Sequence, residues 1–248
     1  MAKQAGMGDN FYVGGVDLSG DINSLGRIGG GPAEVDLTAI NVYARERAGG
    51  VADGTLEFVT LFNTAAGQSH PTFAALPRTD VLGTYFRGTA LGSPAASLLA
   101  KQANYDPTRT DTGDLRAAVA MLANTYGLEW GAQLTAGKRT DTSATNGTGV
   151  DFGAATSFGL QAYLHVFAFT GTSVTIKLQE SSDNGAGDAF ADVTGGAFTA
   201  VTTAPGFQRI QTTRALAVER YLRVVTSGTF SAAIFAVAVT KNITSTTF

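Results

Sequence analysis

The chain has 248 residues, of which 44% are apolar and 15% charged, with a formal net charge of −3 at pH 7 and no cysteine. That length buries a full core in one large or two small domains, and a charged fraction below the usual ~25% suits a surface covered by other subunits. The composition excludes disulfides, thiolate metal sites and a cysteine nucleophile; no run of about 18 apolar residues offers a membrane span, and the sequence shows no basic patch for tight phosphate binding.

The N-terminus, MAKQAGMGDN, lacks the apolar stretch of a secretory signal, so synthesis and folding in a cytoplasm are expected. Met7–Gly31 is punctuated by glycine and reads as an arm or extended loop, with Gly29–Gly31 before Pro32 as a flexible break. In EVDLTAINVYARERAGG, Asp36 is a candidate N-cap and Leu37, Ile40 and Ala44 recur at helical spacing. Arg45 and Arg47 suit the negative end of a helix dipole and Gly49 suits a stop, which predicts a helix over about 37–47. GTLEFVTLFN (54–63) reads as a strand apolar on both faces, hence buried on both sides. HPTFAALP (70–77) holds one helical turn, and strands are predicted near 80–88, 96–105 and 114–130. The last is ambiguous, because DLRAAVAMLA also matches a 3.6-residue period. Lys138–Gly149 is polar, rich in Gly and Thr and without hydrophobic period, and reads as a linker or long loop. It divides the chain into 1–145, which carries the whole net charge of −3, and 146–248, which is neutral.

The second part is plainly β. In TSVTIKLQES, Val174, Ile176 and Leu178 alternate with Thr175, Lys177 and Gln179. Ser181–Asp188 reads as the loop of a long hairpin into AFADVTG, and Arg220–Gly228 with Phe230–Asn242 as a closing hairpin turning over Thr226–Thr229. Four to eight short strands at this spacing indicate a β-sandwich.

Candidate chemistry is sparse. His70 and His165 are the only histidines and neither has a neighbouring ligand or triad partner, so packed or surface imidazoles are expected. GAQLTAGKR (131–139) departs from the phosphate-binding loop, with five residues between its glycines and Arg139 after Lys138, and reads as a loop. Asp183, Asn184, Asp188 and Asp192 gather oxygen ligands without the order of a calcium-binding EF-hand, and Asn-Gly forms turns by itself. Glu129 beside Trp130 is a weak hint of an acid in an apolar pocket or a sugar-stacking platform. Tyr163, Phe167 and Phe169 form an aromatic row on one strand face, read as core. No catalytic, cofactor-binding or metal-binding residue is assigned, and no cofactor.

Three stretches carry a family resemblance: AINVYARERAGGVADGTLEFVTLFN, then LPRTDVLGTYFRGTALGSPAASLLAKQANYDPTRTDTGDL, then YGLEWGAQLTAGKRTDT. They resemble major tail tube proteins of long-tailed, actinobacterial bacteriophages. The likeness is one of order and residue character, because that family has no catalytic signature. It implies a mainly β fold. Residues 1–145 would form a tail-tube β-sandwich or barrel with an N-terminal arm and a flanking helix, and 146–248 an accessory β-sandwich. It further implies a non-enzymatic virion protein, assembled in the host bacterial cytoplasm, whose copies form stacked rings, hexameric or trimeric, around a β-lined channel for genome delivery. The implied partners are other copies of the chain, the tape measure, tail terminator and baseplate or tip proteins, and DNA in passage, with no membrane. Acidic residues facing the lumen would let DNA slide. If 146–248 is only decoration, deleting 150–248 should leave assembly intact. The alternative is a capsid decoration protein or a carbohydrate-binding tail fibre component; an enzyme such as a glycoside hydrolase would need a carboxylate pair that nothing here nominates.

Overall fold

A computed structural model describes residues 8–75 and 79–244. The chain is almost entirely β, as expected: β1 (Asn10–Val13), β2 (Val16–Asp17), β3 (Ile22–Asp36), β4 (Arg47–Leu61), the short helix α1 (Ser69–Ala74), β5 (Val81–Phe86), β6 (Pro94–Arg109), β7 (Leu115–Ala123), β8 (Glu129–Gln133), β9 (Arg139–Asp141), β10 (Val150–Asp151), β11 (Leu160–Ser181), β12 (Ala191–Ala197), β13 (Gly206–Gln211) and β14 (Tyr221–Lys241). Contacts group the chain into two compact units, one of residues 1–20, 84–97 and 130–248, the other of residues 21–83 and 98–129. The units interleave along the chain, whereas the sequence division at 145/146 is a single cut.

The larger unit is organised by β11 and β14, which pair antiparallel over nearly their whole length, from Leu160↔Lys241 to Ser181↔Tyr221. Alternation places Leu160, Ala162, Leu164 and Val166 of β11 against Phe235, Val237 and Val239 of β14 in one buried cluster, which Val174, Ile176 and Leu178 extend. These side chains are fully or almost fully buried, and at about 25 cal/mol per Å² of apolar surface such burial is the main stabilising term. β12 and β13 flank β11, and β8, β9 and β10 flank β14. The opposite face of β11 packs Tyr12 against Phe86 and Phe167, with ring centroids 5.3 and 4.9 Å apart.

Three expectations in this unit change. Residues 221–241 form one continuous strand rather than a hairpin turning at 226–229. Gly228, at φ 125°, is paired with Val174 in unbroken register and lies close against the Ser173 carbonyl, so the Ser-Gly-Thr sequence sits inside a strand and not at a turn. Lys138–Gly149 is a long loop over most of its length, but it is not a free linker. Arg139–Asp141 pairs with β14, the Asp141 carboxylate accepts from Thr226 Oγ1 at 2.7 Å, and Arg139 Nη1 donates to the Val224 carbonyl at 3.0 Å. The Tyr163–Phe167–Phe169 row does not share a face. A bulge between Val166 and Ala168 inverts the alternation, so Phe169 joins the cluster of Val166 while Phe167 faces Tyr12.

The smaller unit is a sheet in the order β3-β4-β7-β6, every neighbouring pair antiparallel. Leu56, Phe58, Val119 and Met121 form its buried face, against which α1 packs Phe73, 5.4 Å from Phe58. The Asp21 carboxylate starts that helix, accepting from the Ser69 backbone N–H at 2.8 Å and from Asn63 Nδ2 at 2.9 Å. This one turn answers to the helical HPTFAALP, of which Leu76 and Pro77 lie outside the described residues. The ambiguous DLRAAVAMLA is strand β7, with Ala117, Val119 and Met121 alternating inward.

The helix expected over 37–47 does not form; residues 37–46 are the tip of the β3–β4 hairpin. The Asp36 side chain accepts from the Thr38 N–H at 2.9 Å, an Asx turn in place of a helix cap, and the Leu37 N–H donates to the Glu46 carbonyl. Leu37, Ile40 and Tyr43 are exposed there, so no tertiary surface rewards the helical spacing, and short helices depend on one. The described part of Met7–Gly31 is likewise strand and turn rather than arm, and Gly29–Gly31 is paired with Asp53–Thr55. A side chain at Gly30 or Gly54 would strike Leu128, which is why both are glycine. β4 is buried mainly on one face: Leu56, Phe58 and Thr60 are inside, while on the other Glu57 and Leu61 are exposed, Val59 is half-buried and Thr55 is covered.

Candidate functional site

The residues that sequence singled out do not converge. His165 is wholly buried on β11, its Nε2 2.9 Å from Thr84 Oγ1 and its Nδ1 accepting from the Gly15 N–H at 3.2 Å. Burial alone pushes its pKa down to about 3, so the ring is neutral and acts as a structural connector. His70 is the second residue of α1, its Nδ1 2.9 Å from the Tyr105 hydroxyl. The 131–139 segment runs through the ends of β8 and β9 and has no following helix.

The Asp183 loop has spent its oxygens on itself. Its carboxylate accepts backbone N–H groups from Gly185 at 3.1 Å, Ala186 at 2.9 Å and Asp188 at 3.2 Å, as well as from Gly187. Burial raises that carboxyl, but the backbone donors outweigh it and hold the pKa below the usual range. The cluster of oxygens is thereby explained as turn architecture. Among the described residues no group of three or more His, Asp or Glu is arranged to hold a metal ion.

What the structure does present is unfinished sheet. β3 pairs with β4 alone, so its outer edge over 15 residues carries no partner strand among the described residues. At the other side of the same sheet, β5 has six residues against the sixteen of β6, whose far half pairs with β7 from Ala100 to Arg109 and meets α1 through Gln102 and Tyr105. Both edges are only partly guarded: Pro32 and Pro107 each remove one backbone donor, while Ile22–Gly31 on β3 holds a single charge, Arg27. The open face of this sheet is small and mixed. Arg27, Lys101 and Arg116 stand with Glu57 and Asp106 among exposed Ala118 and Leu122, and Arg116 pairs with Asp114. Sequence reasoning missed these edges, because pairing partners of a strand are not encoded locally. The signal that was present is the length of the apolar-alternating runs on either side of the hairpin tip.

No family model and no curated protein matches this sequence. Solved structures do show similarity. A chain from the virion of a native gene transfer agent particle has 14% identity and a TM-score of 0.41, covering 52% of this chain and 98% of that one. The SPP1 Dit protein, described as a paradigm of the hub adsorption apparatus in phages infecting Gram-positive bacteria, has 11% identity and a TM-score of 0.34, covering 94% of this chain and 99% of that one. A chain of the phage p2 baseplate in its activated conformation with calcium has 10% identity and a TM-score of 0.35, covering 95% and 99%.

Proposed function

We propose that this protein is a structural, non-enzymatic subunit of a viral tail that assembles by joining the β3 edge of one copy to the β6 edge of the next. The observation that carries the reading is the four-stranded sheet whose β3 edge has no further partner strand among the described residues and whose long β6 is flanked by the much shorter β5. Its strands alternate in direction, so β3 and β6 run oppositely. Copies related by rotation about an axis along the strands therefore bring β6 of one against β3 of the next antiparallel, and the sheet continues without a break. Such a contact is head-to-tail and closes into a ring when the rotation divides a full turn. Pro32 and Pro107 confine the joint to Ile22–Gly31 and to the residues of β6 before Pro107, which restricts its register.

The resemblance of the sequence to major tail tube proteins supplies the setting, a virion tail with other tail proteins as partners and DNA in passage, and the structures with similar folds come from assemblies of that kind. If the open face lines a channel, its three basic residues against Glu57 and Asp106 make it near neutral rather than acidic, so passage of DNA would rest on the lack of a strong field of either sign.

Negative-stain electron microscopy of the purified protein at rising concentration tests this. Rings or tubes of uniform diameter are expected, and Ser24→Lys with Ala103→Lys, both at exposed edge positions, should abolish them while leaving circular dichroism and melting unchanged. Rings that persist in the double variant would remove the edge joint; globular particles at every concentration would favour the decoration or adhesion reading.

A further inference from the structure

Trp130, the single tryptophan of the chain, is 51% exposed. It stands at a groove of about 570 Å³ lined also by Phe152, Ser157, Phe158, Lys241 and Asn242. That volume falls in the range of small-molecule sites, which are mostly apolar, carry a few placed polar groups and are largely preformed.

The groove is preformed. The residue after Trp130 is Gly131, where any Cβ would collide with the Val239 carbonyl and lie 2.6 Å from Thr240 Oγ1, so the backbone of β8 that carries Trp130 lies close against β14. The opposite wall, residues 152–158, is tied down at several points. Phe152 N–H donates to the Arg220 carbonyl at 3.2 Å and Thr156 N–H to the Val218 carbonyl at 2.8 Å. Asn242 Nδ2 donates to the Phe158 carbonyl at 2.8 Å, and Thr156 Oγ1 donates to the Asn242 carbonyl. Lys241 stands over the Phe152 ring, 5.6 Å from its centroid, and donates to the carbonyls of Ala154 at 2.7 Å and Glu219 at 2.6 Å.

These bonds use up the structural groups and leave a specific remainder. Among the described residues the Trp130 indole N–H, the Ser157 hydroxyl and Asn242 Oδ1 have no protein partner, and all three belong to the lining of the same groove. An apolar peptide would bury those three groups unmatched, at about 1–3 kcal/mol each. An anion would compete with two carbonyls for the Lys241 ammonium. A sugar ring matches both halves of the lining: its C–H face stacks on an aromatic plane and its hydroxyls both donate and accept. We propose that this groove binds a saccharide, with a pyranose ring stacked on Trp130 and its hydroxyls held by Ser157 and Asn242. This site is separate from the sheet edges and does not depend on them.

The lone tryptophan makes the test direct, because all tryptophan emission comes from the groove. The full-length protein is titrated with three neutral disaccharides, maltose, cellobiose and N,N′-diacetylchitobiose. At least one is expected to change the emission saturably. Ser157→Ala, an exposed side chain with no bond to lose, should weaken that binding about three- to tenfold, the worth of one hydrogen bond. Trp130→Ala should abolish saturation transfer from protein to sugar in ligand-observed NMR. No response to any of the three sugars overturns the proposal, as does transfer undiminished in Trp130→Ala. Emission that shifts with protein concentration in the absence of sugar also overturns it, and assigns the groove to a contact between copies.

Discussion

His165 makes stability depend on pH in a way that can be worked from its surroundings. Its Nδ1 accepts the Gly15 N–H, so the ring proton sits on Nε2 and is donated to Thr84, and the ring is wholly buried. Burial lowers the folded-state pKa to about 3, whereas in an unfolded chain it is about 6.5. Below about pH 6.5 the unfolded chain binds a proton that the folded protein refuses, so acid favours unfolding. The contribution is complete above the unfolded pKa and is lost progressively as the pH falls towards 3. Between neutral pH and pH 5 the loss is about 2 kcal/mol, from about 1.5 pKa units at 1.36 kcal/mol each. His165→Gln keeps an N–H for Thr84 and an oxygen for Gly15 but cannot titrate. Urea denaturation at pH 7.5 and pH 5.0 should show the wild type losing about 2 kcal/mol more than the variant across that interval, whatever the variant loses at pH 7.5. Equal losses in the two proteins would refute the assignment of a neutral, desolvated ring.

Gly228→Val separates a strand position of positive φ and close backbone approach from a turn or an ordinary strand position. Valine has high strand propensity, but at φ 125° its Cβ would collide with the Ser173 carbonyl, so a loss of about 3 kcal/mol and a melting temperature lower by roughly 6–12 °C are expected in a thermal scan. Residues 1–145 expressed alone should aggregate or lack cooperative unfolding, because β8 and β9 lose β14 and Tyr12 loses Phe167; a soluble, cooperatively melting fragment would instead support the division at 145/146.

The elements that could be read from local pattern are those whose side chains all meet one environment. Val174, Ile176 and Leu178 alternate without interruption and are buried as a set; Ala117, Val119 and Met121 do the same once the strand period is chosen over the helical one. His165 was legible only as a packed or surface ring, because it had no partner in sequence to make it anything else; that it is the packed one needed the structure. The errors lie where a second segment intervenes. Leu37, Ile40 and Ala44 have helical spacing, but their segment is the end of a hairpin whose two 15-residue strands had already fixed its direction. Thr226–Thr229 looks like a turn, yet β11 runs past it and pairs with every residue from Thr226 to Thr229. Phe169 parts from Phe167 because a second segment intervenes here too: the extra residue at 167 inverts the side chains that follow, until the further register shifts between Thr170 and Ser173 bring Val174, Ile176 and Leu178 back to the buried cluster.

Sequence by itself determined that this chain is mainly β, that it has no thiol chemistry, and which residues alternate into buried faces, because composition and a two-residue period act within a single strand. Tertiary structure alone decided that β3, β4, β7 and β6 lie side by side in that order, that Gly30 and Gly54 must admit Leu128, and that Trp130 meets Ser157 and Asn242 across a groove. Those are relations between segments 20 to more than 100 residues apart, and they are set by register, bulges and close approach of backbones, none of which leaves a mark within a single stretch of sequence.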